Sequence, residues 1–182
     1  MRLATFVALF FGLGLATTVQ AQKFYANENS DDGVAPRNTM RFEDYHAPTP
    51  LIVPSATTIL TQDLYKALQV APKPVLIDVL GGQPHRTISG ALWWAGAGLG
   101  YRGDSGNRDA HGKFAKKLEE VTGGDKTKPL VFFCLSSQCW LSYNASLRAV
   151  AAGYTNVHWY RGGIEAWKEA NNDMADTGPT KY

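Results

Sequence analysis

The stretch PLVFFCLSSQCWLSYNASLRAVAAGYTNVHWYRGGIEAW, residues 129–167, decides the fold of this chain. It begins with the apolar run Leu130–Phe133, and such a run is typical of a parallel strand that is buried on both faces. A helical stripe of apolar side chains follows, at Leu147, Val150, Ala151 and Tyr154. A second strand over Val157–Tyr160 and a short helix over Ile164–Ala170 complete the stretch, which therefore predicts alternating strands and helices.

The residues before this stretch continue the alternation. We predict a strand over Thr57–Leu60, followed by a helix with Thr61 at its N-cap. A buried strand over Pro74–Leu80 and a helix over 111–122 come next. This order is typical of an α/β protein with an open parallel sheet covered by helices on both faces. The segment 81–109 is rich in glycine and has no clear period, so we assign it no regular structure.

The chain begins with the features of a secretory signal peptide. Arg2 precedes the apolar run Leu3–Ala16, and Val19–Ala21 form an A-x-A-like cleavage site. The run is shorter than the roughly 20 apolar residues of a membrane span, and no later segment reaches that length. We therefore expect cleavage after Ala21, export to the periplasm and no membrane span.

The composition divides the chain into four predicted segments, of which the leader, residues 1–21, is the first. Residues 22–54 contain four prolines and no sustained period, so we predict an irregular N-terminal arm. This arm is either pinned across the domain by its aromatic residues or loosely attached. Residues 55–172 hold the alternating elements of a single domain, and 173–182 form a C-terminal tail.

The charge balance excludes several classes of partner and site. The chain has 18 Lys and Arg against 16 Asp and Glu. We therefore predict no basic surface for nucleic acid or for an anionic membrane. The four histidines are scattered, without metal-ligand spacing to the two cysteines, so we predict no metal site.

Two cysteines carry the predicted chemistry. Ligands of open α/β sheets bind beyond the carboxyl ends of the strands, and Cys134 directly follows the strand Leu130–Phe133. We expect the next helix to begin near Ser142, so that its N-terminus favours the thiolate of Cys134. The alternative is a buried, inert cysteine.

The partner of Cys134 would be Cys139, five residues later. A straight chain would separate the two Cα atoms by roughly 16–18 Å, so only a loop that curls back would join them. Three states stay open: a structural disulfide, a redox-cycling dithiol, and a free nucleophile beside a resolving thiol. Because export leads to an oxidising compartment, we predict a disulfide, and one that is reducible.

Several motifs resemble the rhodanese-like domain family. They are LIDVL at 76–80, the turn TISGA at 87–91, Cys134 after its strand, Gly153-Tyr154 with Asn156-Val157, and Gly162-Gly163 with Trp167. More narrowly, CLSSQCW at 134–140 resembles the exported CXXCW-motif proteins associated with PQQ-dependent alcohol catabolism, although the spacing here is Cys-x4-Cys. The resemblance covers about residues 57–171. It implies a rhodanese-like fold and a quinoprotein dehydrogenase or a cytochrome as partner.

The loop and the resemblance together define a candidate site. Cys134 and Cys139 are the predicted catalytic residues, with a persulfide on Cys134 as the group carried and no other cofactor. The predicted substrate-binding residues are Ser136, Ser137, Gln138 and Trp140. Asp78 either supports the site by orienting a basic residue such as Arg86 or only caps its loop. Trp140 either shields the sulfur from water or packs on the sheet.

The loop Leu135–Leu141 contains no Arg or Lys, whereas sulfurtransferases of this family hold the anionic donor with basic residues there. We therefore expect little ordinary thiosulfate sulfurtransferase activity. The first functional hypothesis is a periplasmic protein that uses Cys134 for persulfide or thiol–disulfide chemistry with a small thiol or sulfur donor. The second is a non-catalytic binding module with a structural Cys134–Cys139 disulfide. A third is phosphatase-like chemistry at this long loop.

Overall fold

The computed structural model describes residues 23–182, apart from the side chains at positions 104, 105 and 107. The predicted leader and its cleavage site lie outside these residues. The elements in chain order are β1 Thr57–Ile59, α1 Thr61–Ala67, β2 Val75–Asp78, β3 Arg86–Ile88, β4 Leu92–Trp93, α2 Asp104–Thr122, β5 Leu130–Phe133, α3 Trp140–Ala151, β6 Val157–Tyr160, α4 Gly163–Glu169 and β7 Met174–Asp176. No helix within the described range has both the length and the apolar character needed to cross a membrane.

A five-stranded sheet forms the centre of the domain, in the order β1-β6-β5-β2-β4, and each neighbouring pair is parallel. β5 is the middle strand, and all four of its residues are buried. Its apolar sequence is that of a strand covered on both faces. Because the strands are parallel, the carboxyl ends of β2, β5 and β6 lie at the same edge of the sheet, where Asp78, Phe133 and Tyr160 are paired in register.

Helices cover both faces of this sheet. α2 and α3 pack on one face, where Phe114 and Phe132 belong to one buried apolar cluster. α1 and α4 pack on the other face, where Leu64, Phe133 and Trp167 belong to a second cluster. Successive residues of β5 thus face opposite cores, as the alternation of side chains along a strand requires. The predicted α/β class, with helices on both faces of an open parallel sheet, is confirmed.

The segment 81–109 contains more regular structure than we predicted. β3, β4 and the first turn of α2 lie within it, so that α2 begins at Asp104 instead of position 111. β3 pairs antiparallel with β7, which comes from the predicted tail, and the register joins Arg86 with Asp176. Strands of two or three residues are too short for hydrophobic periodicity to identify.

The first helix lacks the predicted threonine cap. Leu60 is the N-cap residue, and Thr61 is the first residue of α1. The Thr61 backbone N–H donates to a carboxylate oxygen of Glu28 at 2.9 Å, and the Thr61 hydroxyl donates to the same oxygen at 2.7 Å. A residue of the arm therefore supplies the acceptor that a cap would provide.

The arm is pinned across the domain. Over residues 23–56 it consists of turns and extended chain, with an isolated β-bridge at His46. Glu28, Thr49 and Val53 are at most 2% exposed. Of the four aromatic residues of the arm, Tyr25 and Tyr45 pack against the buried clusters, whereas Phe24 and Phe42 are exposed. The arm is therefore held by polar groups, by backbone bonds and by two of its aromatic residues.

Candidate active site: a disulfide loop beneath the arm

Cys134 and Cys139 form a disulfide, with their Cα atoms 6.1 Å apart. The predicted pairing is therefore confirmed. Cys134 directly follows β5 at the carboxyl edge of the sheet, as the sequence indicated. Both cysteines are only 1% exposed, so the sulfur atoms lie inside the molecule.

Local hydrogen bonds curl the loop so that the two cysteines meet. The Cys139 backbone N–H donates to the Ser136 carbonyl at 3.1 Å, which closes a turn between the two thiols. The first turn of α4 holds the other side of the loop. There the backbone N–H groups of Ile164 and Glu165 donate to the carbonyls of Cys134 and Leu135, at 3.0 and 2.9 Å.

This contact between the loop and α4 requires a glycine at position 163. Gly163 has a positive φ of 61°. A Cβ atom there would lie 2.4 Å from the Cys134 carbonyl oxygen, far inside van der Waals contact. Gly163 is thus explained by the close approach of α4 to the cysteine loop, whereas a Cβ at Gly162 would meet Ala166 and Glu28.

The helix after the loop begins earlier than we predicted. α3 begins at Trp140 and not near Ser142, and Cys139 is its N-cap residue, with extended φ and ψ of −123° and 109°. The partial positive charge of the helix N-terminus therefore acts first on Cys139. The sequence argument assigned this effect to Cys134. In the reduced protein, we therefore expect the helix N-terminus to favour a thiolate at Cys139 at least as much as at Cys134.

The arm covers the disulfide loop by backbone pairing. The Ala47 N–H donates to the Gln138 carbonyl at 3.0 Å, and the Trp140 N–H donates to the Tyr45 carbonyl at 2.9 Å. These two bonds flank an antiparallel bridge between His46 and Cys139. The arm therefore passes directly over Cys139, which explains why the disulfide is buried.

Two side-chain contacts extend this cover. The Trp140 indole N–H donates to the Pro48 carbonyl at 3.0 Å, and the Thr49 hydroxyl donates to the Ser137 carbonyl at 2.6 Å. The Trp140 ring is 1% exposed and packs against Tyr143, with ring centroids 4.8 Å apart. The packing considered for Trp140 is thus observed, and the shielding of the sulfur from water stays a prediction.

The predicted substrate-binding residues of the loop have different surroundings. Ser137 and Trp140 are buried under the arm, Ser136 is partly buried, and Gln138 is exposed. The Ser136 hydroxyl accepts a hydrogen bond from the Gln138 N–H at 3.3 Å. Ser136 therefore contacts the loop, and Ser137 contacts the arm. Of the four predicted residues, Gln138 is the one that is exposed to solvent.

Asp78 does not orient Arg86. Its buried carboxylate accepts hydrogen bonds from the Thr87 hydroxyl at 2.6 Å and the Leu80 N–H at 2.9 Å, and contacts His85 Nε2 at 2.9 Å. Arg86 is exposed and donates to the Met174 carbonyl at 3.0 Å. Asp78 therefore caps its own loop, the alternative role that we considered for it, and it does not contact Arg86.

Arg161 is a site residue that our sequence argument missed. It follows β6 at the same edge as Cys134, and its side chain is completely buried. Its guanidinium donates to Thr49 Oγ1 and the Thr49 carbonyl, to the carbonyls of Asn27 and Glu28, and to the Asp32 carboxylate, at 2.9–3.2 Å. All of these acceptors belong to the arm. The rule that ligands gather at strand ends would have selected Arg161 too, because it directly follows β6.

Arg161 places a buried positive charge near the cysteine loop. Burial lowers the pKa of its guanidinium, and the Asp32 carboxylate opposes that shift.

Within residues 23–182, no group of three or more His, Cys, Asp or Glu side chains could hold a metal ion. The arrangement places a disulfide between Cys134 and Cys139 at the sheet edge, under a cover that Arg161 holds in place.

Several solved structures of known proteins align with this chain. Thiosulfate sulfurtransferase from Pseudomonas aeruginosa aligns with a TM-score of 0.50 and 17% identity over 69% of this chain, which spans about a fifth (21%) of that protein. The polysulfide-sulfur transferase homodimer from Wolinella succinogenes aligns with a TM-score of 0.46 and 19% identity, over 70% of this chain and 84% of that one. The rhodanese-like domain of an Anabaena protein gives 0.45 and 15%, over 68% and 80%.

The sequence comparisons carry the family assignment. A comparison with curated proteins gives no match. A family model described as the rhodanese-like domain matches residues 61–170, which is more than half of the 182 residues. The matched range contains the sheet strands β2, β4, β5 and β6, the disulfide loop and α4. This chain belongs to the rhodanese-like domain family.

Proposed function

We propose that this protein carries out thiol–disulfide exchange through the Cys134–Cys139 pair. The observation that supports the proposal is the position of the disulfide, at the carboxyl edge of the sheet with Cys139 at the N-cap of α3. A helix N-terminus stabilises a thiolate, which is both the attacking and the leaving form of a cysteine in exchange. The disulfide closes a ring of few residues, so it constrains the unfolded chain less than a long-range bridge would.

Sulfur transfer through a persulfide on Cys134 is the related chemistry, and it requires the disulfide to be reduced first. A persulfide forms when a thiolate attacks the outer sulfur of a donor such as thiosulfate, with sulfite as the leaving group. Basic side chains normally hold such an anion, and the loop Leu135–Leu141 has none. This absence favours a small or protein thiol as the reaction partner over thiosulfate.

The setting of this chemistry is also part of the proposal. The features of residues 1–21 favour export to the periplasm, where a reducible disulfide would be formed and used. The resemblance of CLSSQCW to the CXXCW-motif proteins favours an accessory role in PQQ-dependent alcohol oxidation, with a quinoprotein dehydrogenase or a cytochrome as partner.

A second candidate function is a binding module in which the disulfide is structural. The observation that favours it is burial: both cysteines are 1% exposed, and the arm pairs with the loop directly above them. In this case the disulfide would hold the loop in the shape that the arm requires, and no exchange would occur.

Single-cysteine variants in the native compartment separate these functions. In Cys134→Ser, the remaining Cys139 thiol has no intramolecular partner, so we expect it to accumulate as mixed disulfides that mass spectrometry identifies. In Cys139→Ser, a mass increase of one sulfur atom at Cys134 would identify the persulfide. The double variant is the control. Unmodified free thiols in both single variants would contradict the proposal and leave the binding module.

A further inference from the structure

We propose that the backbone of Gln138–Trp140 is a docking strand for an extended, cysteine-bearing segment of a redox partner protein, and that the arm occupies this strand in the free protein. The proposal rests on the thiol–disulfide function proposed above. The partner contributes a cysteine thiol on an extended segment of polypeptide. This segment occupies the position that residues 45–47 occupy in the free protein.

The register of the arm places position 46 directly opposite Cys139. The hydrogen bonds from Ala47 N–H to Gln138 and from Trp140 N–H to Tyr45 lie on either side of this pair. His46 and Cys139 are therefore a non-hydrogen-bonded antiparallel pair, for which Cα atoms are typically about 4.5 Å apart. Disulfides span Cα separations of about 4.4–6.8 Å. A cysteine at position 46 of a docked strand would thus be within bonding reach of Cys139.

The docking strand recognises a backbone and not a particular sequence. It offers the Gln138 carbonyl as an acceptor and the Trp140 backbone and indole N–H groups as donors, and backbone groups of the arm satisfy all three. Main-chain pairing of this kind gives affinity for any extended segment, while the residue opposite Cys139 gives chemical selectivity.

The arm pairs with the loop by a single backbone bridge at this place, and His46 and Pro48 are exposed to solvent. Beyond the bridge, the Pro48 carbonyl accepts from the Trp140 indole N–H and the Thr49 hydroxyl donates to the Ser137 carbonyl, so the contact continues through side chains and not as a longer ladder. Arg161 in turn donates to the Thr49 hydroxyl. An incoming strand must therefore displace two backbone–backbone bonds together with these side-chain bonds.

The exchange proceeds in two balanced steps. The partner thiolate attacks Cys139 Sγ, the Cys134–Cys139 bond breaks, and Cys134 leaves as a thiolate that takes a proton from water. A second partner thiolate then attacks the partner sulfur of the mixed disulfide, which forms a partner disulfide and releases Cys139 as a thiolate. Two electrons pass from the partner dithiol to this protein. The reverse sequence passes them from the Cys134/Cys139 dithiol to a partner disulfide and re-forms the Cys134–Cys139 bond.

The first test determines which position of the arm lies opposite Cys139. In a Cys134→Ser background, a cysteine is introduced at position 46 or 47 of the full-length protein, as His46→Cys or Ala47→Cys. Because position 47 faces the other side of the bridge, we expect disulfide formation with Cys139 to be at least tenfold faster in His46→Cys. Equal rates in the two variants would overturn the proposal. Position 46 is exposed, so His46→Cys is expected to fold.

The second test supplies the strand from outside. A synthetic peptide of residues 43–49 carries a cysteine in place of His46, and a matched peptide carries it in place of Ala47. Each is incubated as the thiol with the oxidised full chain and with its Thr49→Ala variant, and mixed disulfides are mapped by mass spectrometry. We expect the first peptide to attach to Cys139 at least tenfold faster, and faster still in Thr49→Ala, where the arm is loosened.

The outcomes keep the two proposals apart. Exchange that proceeds equally with both peptides, or attachment at Cys134, overturns the docking strand while thiol–disulfide exchange stands. A disulfide that exchanges neither with the peptides nor with dithiothreitol overturns the proposed function itself, and with it the docking strand.

Discussion

Arg161 and Thr49 are joined by two hydrogen bonds, from Nε to the threonine hydroxyl at 3.0 Å and from a terminal guanidinium nitrogen to the threonine carbonyl at 3.1 Å. The same hydroxyl donates to the Ser137 carbonyl in the cysteine loop. One threonine of the arm therefore connects a buried cation at the end of β6 with the loop at the end of β5. The cover over the disulfide depends on this connection.

Removing the cation is expected to release the arm. Arg161→Met keeps most of the apolar stem but leaves the carbonyls of Asn27, Glu28 and Thr49 without their donor. Hydrogen bonds to charged groups contribute about 1.5–3 kcal/mol each, so we expect local opening of the arm and faster hydrogen exchange at residues 45–49. Arg86→Met removes an exposed arginine and is the control. Unchanged exchange at 45–49 in Arg161→Met would contradict the latching role.

The uncharged loop is expected to give little thiosulfate sulfurtransferase activity. Losing one charge-assisted contact to an anion removes about 1.5–3 kcal/mol, or roughly one to two decades in binding. Thiocyanate production from thiosulfate and cyanide should therefore be at least one decade below that of a rhodanese with a basic loop. Robust production that disappears in Cys134→Ser would show an ordinary sulfurtransferase and refute this prediction.

Gly163→Ala is expected to distort the cysteine loop. The added Cβ would lie 2.4 Å from the Cys134 carbonyl, and φ at this position is positive. Strain and overpacking together should lower the free energy of unfolding by about 2 kcal/mol or more, as measured by urea denaturation. Gly123→Ala is the matched control, because φ there is also positive, at 67°, while a Cβ would meet no atom within 4 Å. Equal effects of the two substitutions would show that α4 does not constrain the loop.

Glu28 is expected to make the arm sensitive to pH. Burial raises the pKa of its carboxyl above the ordinary value of 4.5, although hydrogen bonds from Thr61 oppose this. The folded state then binds this proton more tightly than the unfolded state. Its contribution is therefore fully present below pH 4.5 and is lost as the pH rises through the raised pKa.

Urea unfolding of the wild type and of Glu28→Gln across this range checks the prediction. The wild type should lose stability relative to the neutral variant as the pH rises from about 4 towards neutrality. The exposed Glu165→Gln serves as a control for general charge effects. A stability difference between wild type and Glu28→Gln that stays constant with pH would be inconsistent with a raised pKa.

The sequence predicted those parts of the site that depend on local patterns. The apolar run Leu130–Phe133 identified β5, and with it the position of Cys134 at the sheet edge. Cys139 lies on the same short loop, so its pairing followed from spacing and compartment. In contrast, β3 and β7 are strands of three residues whose pairing joins distant parts of the chain, which no periodicity reveals.

The cover over the site could not be predicted from the sequence. The arm has no repeating pattern, and its attachment depends on hydrogen bonds between residues about a hundred positions apart, such as Thr49 with Ser137 and with Arg161. The boundary of α3 differed from our prediction by two residues, and that difference moved the helix N-cap to Cys139. The roles of the two cysteines therefore depend on a boundary that sequence patterns locate poorly.

The reduction potential of the Cys134–Cys139 disulfide tests the account most directly. The protein is equilibrated across a graded thiol redox buffer, and differential alkylation with mass spectrometry gives the fraction reduced. The account predicts a potential above about −300 mV, because the ring is small and the N-cap position stabilises the Cys139 thiolate. A potential well below about −300 mV would contradict it and would make the disulfide a structural feature of a binding module.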